Sequence, residues 1–112
     1  ISMVEFKDKI LKLDAGYADY LIKKYDDLNI KLGLQIKPRL SDFKAIEAAI
    51  MKNKAYDDFQ ILSKYAEKHY PKTILGTYHQ AMYYEKTGNY KKALKEYQKA
   101  LKYFENAKVE IV

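Results

Sequence analysis

The sequence contains no cysteine, and it has only two prolines and four glycines among its 112 residues. Without cysteine the chain can form neither disulfides nor thiolate metal sites, and it offers no thiol nucleophile. So few turn-forming residues do not suit a many-stranded sheet, which needs turn signals roughly every 8–12 residues. The sequence therefore predicts helices joined by short connections.

Arginine is nearly missing from a chain that is otherwise basic. The formal net charge is +6, and lysine carries the positive charge everywhere except at Arg39. Proteins that read nucleic acids favour arginine for bidentate contacts to guanine and phosphate. We therefore interpret the charge as the solvated surface of helices and predict no nucleic-acid partner.

Long apolar runs are lacking too. No stretch approaches the ~20 apolar residues of a membrane-spanning helix, and none resembles the core of a signal peptide. The chain starts at Ile1 without an initiator methionine, so we expect it to be a fragment of a longer protein. No compartment is predicted from these residues.

The composition, 48% hydrophobic and 32% charged, is typical of one folded domain spanning residues 1–112. Over residues 3–32, apolar residues recur at steps of three and four and define one helical face. Asp14 and Gly16 interrupt this pattern, which leaves open one kinked helix or two short ones. Gly33 is a natural helix stop.

Four further helices are predicted after that stop. One begins near Ser41, one at about Tyr56, and one near Thr73, with turns expected near Lys54 and Gly88. The last helix is predicted from Tyr90 to about Phe104, and its buried face is expected to comprise Ala93, Leu94, Tyr97, Ala100, Leu101 and Phe104.

The segment 83–101 shows the features of a helical hairpin. Gly88 permits a left-handed turn between antiparallel helices. Ala93 and Ala100 are small enough for the second helix to lie close against the first, and Tyr97 fills the layer between them. This segment closely resembles a tetratricopeptide repeat.

Tetratricopeptide units repeat about every 34 residues. Tyr56 and Ala66 precede Tyr90 and Ala100 by that interval, and Pro71 stands where such a repeat commonly ends. The interval therefore indicates a second, more divergent unit upstream of the first.

The resemblance implies an all-α fold, a right-handed array of antiparallel helical hairpins of the tetratricopeptide type. Residues 40–73 would form a degenerate repeat and residues 74–107 a second repeat. Residues 1–33 would supply an N-terminal helix or helices as a wall for them. The sequence departs from the side-chain sizes that the family prefers at Glu47, Phe59, Ser63, Thr77 and Gln80.

A weaker resemblance covers more of the chain. Three tyrosines in the N-terminal helix precede the segment 33–38, which is followed by Tyr70-Pro71-Lys72-Thr73 and then by the unit around Gly88. This order is similar to the helical extension that follows the catalytic domain in some bacterial esterase-like α/β-hydrolases. It would make the chain an accessory domain, periplasmic or secreted if the parent hydrolase is exported.

Motifs for catalysis are not recognisable. The sequence has no Gly-x-Ser-x-Gly nucleophile motif, and His69 and His79 lack the spacing of a helical metal pair. Adjacent acids such as those at 26–27 and 57–58 diverge by about 100° on a helix. We therefore predict no enzymatic activity in this chain and no metal or cofactor.

A strip on the first helix of each repeat is predicted to bind protein, because such arrays present that side to ligands. The partner would be the chain's own upstream domain, a second copy in a homodimer, or another protein. Lysines on the last helix could instead meet nucleic acid or anionic lipid, but a solvated outer face is the favoured interpretation. The predicted interaction surface comprises Lys44, Met51, Lys52, Tyr78, Met82 and Glu85.

Overall fold

The computed structural model describes residues 3–111, with side chains described for residues 5–106. All regular structure in that range is helical, and no strand occurs within it. The predicted all-α class is therefore confirmed. The helices are α1 (Met3–Leu11), α2 (Tyr17–Leu32), α3 (Leu40–Asn53), α4 (Asp58–His69), α5 (Ile74–Lys86) and α6 (Tyr90–Ile111).

These helices form two compact units, Ile1–Asp58 and Phe59–Val112, which are described separately. Helices α1 to α3 belong to the first unit and α5 and α6 to the second, with α4 beginning at the boundary. The boundary falls inside the segment 40–73, so the degenerate repeat proposed there stays a prediction.

In the first unit the interruption after residue 11 separates two helices. Gly16 adopts φ 72°, a left-handed conformation at the N-cap of α2, and it has no side chain to cap the helix. The Asp58 carboxylate takes that role, because its Oδ2 accepts a hydrogen bond from the Tyr17 amide at 3.0 Å. An acid at this position also favours the positive end of the helix dipole.

The C-terminus of α2 is closed as the sequence predicted. Gly33 has φ 65°, and its amide donates to the Asn29 carbonyl. The Asn29 side chain then holds the connector, because Oδ1 accepts from the Ile36 amide at 2.8 Å and Nδ2 donates to the Ile36 carbonyl at 3.3 Å. Pro38, two residues further on, is fully buried, so the connector is fixed at both of its ends.

Apolar side chains from all three helices build the core of the first unit. Phe6 from α1 is fully buried and stacks on Tyr20 with ring centroids 5.8 Å apart. Burying a large apolar side chain stabilises a fold by about 1.5–3 kcal/mol. The buried apolar residues of this unit are Phe6, Ile10, Tyr17, Ala18, Leu21, Tyr25, Phe43, Ile46, Ala49 and Ile50.

A buried ionic network joins α2 to the start of α3. Asp42 is 0% exposed. Its carboxylate accepts hydrogen bonds from the Tyr25 hydroxyl, from Lys24 Nζ at 3.0 Å and from Arg39 Nη2 at 3.2 Å. The Tyr25 hydroxyl in turn accepts the Arg39 amide at 3.1 Å. Lys24 Nζ also lies 3.9 Å from the centre of the Phe6 ring, so the network extends to α1.

This network sets the charge state of its members. Burial alone would raise the pKa of the Asp42 carboxyl, but hydrogen bonds from Tyr25 and Lys24 and the charges of Lys24 and Arg39 outweigh burial and lower it. The pKa of the Tyr25 hydroxyl is raised, first by burial and then by its bond to the carboxylate. Asp42 is therefore ionised, and Tyr25 carries its proton, at neutral pH.

In the second unit small residues allow α4 and α5 to approach closely. Ser63 Oγ donates to the Gly76 carbonyl at 2.7 Å. A Cβ added at Gly76 would lie 3.0 Å from Glu67 Oε2 and 3.4 Å from the Ser63 carbonyl oxygen. His79 is fully buried and stacks on Phe59, with ring centroids 6.1 Å apart.

Helices α5 and α6 form an antiparallel hairpin that turns at the predicted position. Gly88 adopts φ 86°, and the Asn89 amide donates back to the Tyr84 carbonyl at 2.8 Å. Ala93 and Ala100 are buried, as expected for positions where two helices lie close together. Further along, Tyr97 of α6 bonds to α5.

The predicted buried face of α6 is wrong in part. Leu94, Leu101 and Phe104 were expected to be buried, but they are 59%, 56% and 52% exposed. Tyr90, at the start of the helix, is 70% exposed as well. The helix also continues through Ile111 instead of ending near Phe104. Helix α5 covers only the side that carries the two alanines, so the adjoining apolar side chains remain exposed.

We predict that Asp42→Ala strongly destabilises the chain. The substitution leaves Lys24, whose side chain is 6% exposed, buried without its counterion, a loss that typically costs about 3–5 kcal/mol. Asp27→Ala is the matched control, because Asp27 pairs with Lys23 on the open surface of α2 and such pairs contribute up to about 1 kcal/mol. Urea unfolding followed by circular dichroism measures both, and equal losses would contradict the role assigned to the network.

The same carboxylate predicts a dependence on pH. Because the pKa of Asp42 is lower in the folded chain than in the unfolded chain, protonation favours unfolding. The stabilisation is present above the unfolded-state pKa of about 4 and is lost as pH falls through the folded-state pKa. The free energy of unfolding should therefore fall more steeply below about pH 5 in the wild type than in Asp42→Asn. Parallel pH profiles for the two proteins would contradict this assignment.

Candidate interaction surfaces

The predicted interaction surface is divided between the two units. Lys44, Met51 and Lys52 lie on α3 in the first unit, and the other three residues lie on α5 in the second. Lys44 and Lys52 are exposed, and Met51 is 37% exposed. The existence of one continuous surface stays a prediction, and each half is described by itself.

Lys52 lines an apolar groove between α1 and α3, called here the α1–α3 groove. Its volume is about 300 Å3. The groove exists because the alanines on this side of α3 have small side chains. Leu11 of α1, which is 69% exposed, lies on the opposite wall. The lining residues are Lys7, Ile10, Leu11, Ala45, Ala48, Ala49 and Lys52.

The chemistry of the α1–α3 groove suits a peptide with one apolar side chain and an acidic neighbour. The lining residues include two lysines, Lys7 and Lys52, and no acid. An apolar side chain would occupy the floor, and a carboxylate beside it would meet an ammonium group. The sequence did not predict this groove, because the spacing of the α3 alanines does not show which helix lies opposite them.

On α5 the three predicted residues differ in availability. Tyr78 is 39% exposed, and its ring lies edge-on to the buried His79, with centroids 5.9 Å apart. Met82 and Glu85 are half-buried, and both contact Tyr97 of α6. The Tyr97 hydroxyl donates to Glu85 Oε1 at 2.9 Å and lies 3.3 Å from Met82 Sδ.

The contact with α5 also determines the ionisation of Tyr97. Burial, and then the hydrogen bond to Glu85 and its negative charge, raise the pKa of Tyr97 to about 12. The hydroxyl therefore remains a donor over the whole physiological range. Of the three α5 residues, Tyr78 is the one whose exposed surface is free for a partner, while Met82 and Glu85 hold the hairpin together.

Three departures from the expected repeat pattern meet in one polar recess. Ser63, Thr77 and Gln80 line a space of about 350 Å3 together with Glu67 and residues of α6. The Ser63 hydroxyl is already donated to the Gly76 carbonyl, and Thr77 Oγ1 donates to the Ile74 carbonyl at 2.9 Å. Polar side chains therefore replace the family's larger residues here without leaving these hydroxyls unsatisfied.

The histidines pack against aromatic rings. His69 meets Tyr65 edge-on with centroids 4.7 Å apart, and His79 stacks on Phe59. Among the residues that the structure describes, no group of three or more histidines, cysteines or acids could hold a metal ion. Over the same residues, no helix combines the length and apolar character that crossing a bilayer requires.

The comparisons with known proteins agree with this geometry. The tetratricopeptide repeat family matches residues 75–107, which comprise most of α5 and the larger part of α6. The second unit contains a tetratricopeptide repeat. The resemblance found in the sequence is thereby confirmed, and members of this family generally mediate protein contacts and are generally not catalytic.

A solved structure extends the likeness to most of the chain. The crystal structure of an uncharacterised protein from Capnocytophaga ochracea DSM 7271 aligns with 89% of the chain, at 40% identity and a TM-score of 0.82. The chain spans 28% of the length of that protein. No curated protein matches the chain, and no comparison supports the resemblance to an esterase extension.

We predict that Tyr97→Phe loosens the α5–α6 hairpin. The change removes the donor to Glu85 and leaves the ring in place, so it should cost about 1.5–3 kcal/mol, the range for a hydrogen bond to a charged group. Tyr90→Phe is the matched control, since Tyr90 is 70% exposed and should change stability by less than about 0.5 kcal/mol. Thermal unfolding followed by circular dichroism compares the two, and indistinguishable variants would contradict the role given to the hydroxyl.

Proposed function

We propose that this chain is a non-catalytic protein-interaction or intramolecular docking module and that its partner contacts α3 and α5. The observation that carries the proposal is the tetratricopeptide repeat formed by α5 and α6. The partner is the upstream part of a longer protein, a second copy of the chain, or another protein.

The exposed chemistry of α3 and α5 supports this proposal. Met51 and Tyr78 supply adaptable apolar and aromatic surface, which is enriched where proteins meet. Lys44 and Lys52 provide a basic rim on α3, and the α1–α3 groove beside Lys52 offers a pocket for an apolar side chain. Such a surface suits a segment with apolar residues and acidic neighbours.

The placement of potential catalytic groups supports the non-catalytic part of the proposal. The Ser63 hydroxyl is donated to a backbone carbonyl. His79 is fully buried against Phe59, where it meets no substrate. A nucleophile must lie within hydrogen-bond reach of a base that is itself accessible, and neither of these two side chains offers that arrangement.

The proposal is tested by placing a photo-crosslinking amino acid at position 51 or 78 of the full-length protein in its host cells. Both side chains are more than a third exposed, and neither accepts the hydrogen bond of Tyr97, so the fold should tolerate the change. We expect each position to yield a discrete adduct, whose mass distinguishes the upstream domain, a second copy and another protein.

Position 30 is the matched control, because Ile30 is an apolar residue of α2 that is 81% exposed and lies outside the proposed surface. It should yield no discrete adduct. If positions 51 and 78 crosslink no more than position 30, the proposed surface is idle and the interaction function assigned to it is wrong.

A further inference from the structure

The α1–α3 groove has a volume that suits one large side chain. Its space of about 300 Å3 holds on the order of ten non-hydrogen atoms, since a water molecule takes about 30 Å3 in the liquid. A leucine side chain would fill less than half of that space, whereas a tryptophan side chain would fill most of it. The size of the groove therefore favours a large aromatic side chain as its occupant.

Small side chains on α3 determine this volume. Ala45, Ala48 and Ala49 lie on one side of the helix, because residues three and four apart are neighbours on its surface, and all three line the groove. Ala48 is exposed, so the described residues leave the floor open at that position. A larger side chain at position 48 would occupy the space that a ligand needs.

Two ammonium groups flank the floor from different helices. Lys7 belongs to α1 and Lys52 to α3, and both are exposed. Neither forms an ion pair with another described residue, and the described residues that line the groove include no acid. Lysine stems lie along apolar surface while the charge stays in water. Both walls of the groove therefore offer a positive charge to a ligand.

We propose that the α1–α3 groove binds an acidic segment of another protein through one aromatic anchor, of which tryptophan fits best, with a carboxylate on each side of it. The ring fills the floor, and the flanking carboxylates meet Lys7 and Lys52. Ammonium groups also attract the faces of aromatic rings, tryptophan most strongly. This binding mode deepens the proposed interaction function and rests on it, because it names the chemistry of the partner at one part of that surface.

The features of the groove fit this occupant better than two others. A second copy does not supply the segment, because the chain contains no tryptophan and none of its tyrosines or phenylalanines stands directly between two acids. Helices that bind lipid surfaces bury an apolar face in the membrane, whereas the alanines here lie at the floor of a recess. An aromatic anchor with acidic neighbours matches both the recess and its charge.

Tryptophan fluorescence measures this binding directly, because the chain has no tryptophan of its own. The probe is the peptide Glu-Asp-Trp-Asp-Glu, blocked at both ends so that only side chains carry charge, and it is titrated with the full chain. We expect a blue shift of the indole emission and a Kd of roughly 10–300 µM, weak because one side chain is buried. Added salt should weaken binding, since exposed charges are screened.

Two matched peptides separate the anchor from the charge. The peptide in which alanine replaces tryptophan keeps the charge, and as a competitor it should displace the probe at least about tenfold less well. The peptide in which lysines replace the four acids keeps the anchor, and when titrated directly it should bind at least about tenfold more weakly. A leucine-anchored competitor should lie between the alanine and tryptophan peptides.

Filling the floor tests the position of the anchor. Ala48→Leu leaves the charge unchanged and should weaken binding of the probe at least about tenfold, because the new side chain occupies the space of the ring. Circular dichroism should show unchanged helicity, since Ala48 is exposed. Ala15→Leu is the matched control, at an exposed position outside the groove, and should bind like the wild type.

Charge exchange tests the two walls. Lys7→Glu and Lys52→Glu should each weaken binding of the acidic probe roughly threefold or more, and the double variant should prefer the lysine-flanked peptide. That gain of binding is a result that a merely destabilised fold cannot produce. Lys9→Glu is the matched control, because Lys9 is exposed on α1 about 200° around the helix from Lys7 and does not line the groove.

The proposal is overturned if the wild type binds the probe no more tightly than the alanine peptide, or if Ala48→Leu and the double charge variant bind like the wild type. Displacement of the probe by phosphatidylglycerol vesicles would assign the groove to lipid instead. Failure of the longer parent protein to bind the probe would assign it to an upstream segment. Crosslinking at positions 51 and 78 does not require this anchor, so failure of the groove is distinguishable from failure of the proposed function.

Discussion

A buried carboxylate cannot be left without partners, and Asp42 imposes that constraint on the first unit. The three groups that satisfy it come from α2 and from the connector before α3. Once Tyr25, Lys24 and Arg39 are engaged, the start of α3 has one favourable position relative to α2. The ammonium group of Lys24 also lies over the Phe6 ring, so α1 is drawn into the same arrangement. The α1–α3 groove is the space that these positions leave between the two helices.

The second unit relies on small side chains and on the hydroxyls of Ser63 and Tyr97 instead of a buried charge. Gly76 and Ser63 let α4 and α5 approach, while Ala93 and Ala100 do the same for α5 and α6. The Tyr97 hydroxyl then donates to Glu85 and contacts Met82, both on α5. Close approach at small residues has a second effect, because it limits how much of the facing helix is covered. The exposed apolar side chains of α6 and the close packing of the hairpin therefore have the same origin.

Much of the fold could be predicted because it depends on residues that are close together in the sequence. The turn at Gly88 and the stop at Gly33 depend on backbone conformations that glycine favours, and the repeat around Ala93 and Ala100 depends on residue size. Periodicity also identified the apolar residues of α6 correctly. It did not show which of them α5 reaches, because one helix offers more apolar positions than a single neighbour can bury.

The polar contacts of the first unit were beyond prediction for a related reason. From the sequence, Asp42 lies beside the predicted helix start near Ser41, and Asp58 is one of two adjacent acids whose side chains diverge on a helix. In the structure each carboxylate accepts a hydrogen bond from a distant segment. Asp42 accepts from the Tyr25 hydroxyl, and Asp58 accepts from the Tyr17 amide. The sequence shows that a buried acid needs hydrogen-bond donors. Which residues donate depends on the tertiary fold. The candidate surface has the same limit, since Met82 and Glu85 satisfied the pattern for exposure and yet contact Tyr97.

The cap on α2 has a consequence for the order in which the chain acquires its structure. Asp58 and Tyr17 are 41 residues apart in sequence, whereas Tyr97 and Glu85 are 12 residues apart. Loop-closure entropy rises by about 0.6 kcal/mol for each doubling of loop length, so the longer contact costs about 1 kcal/mol more chain entropy to form. Contacts between near neighbours are also found more quickly during a conformational search. The repeat can thus form from contacts between near neighbours in the sequence. The cap on α2 forms only after Asp58 has reached the distant Tyr17.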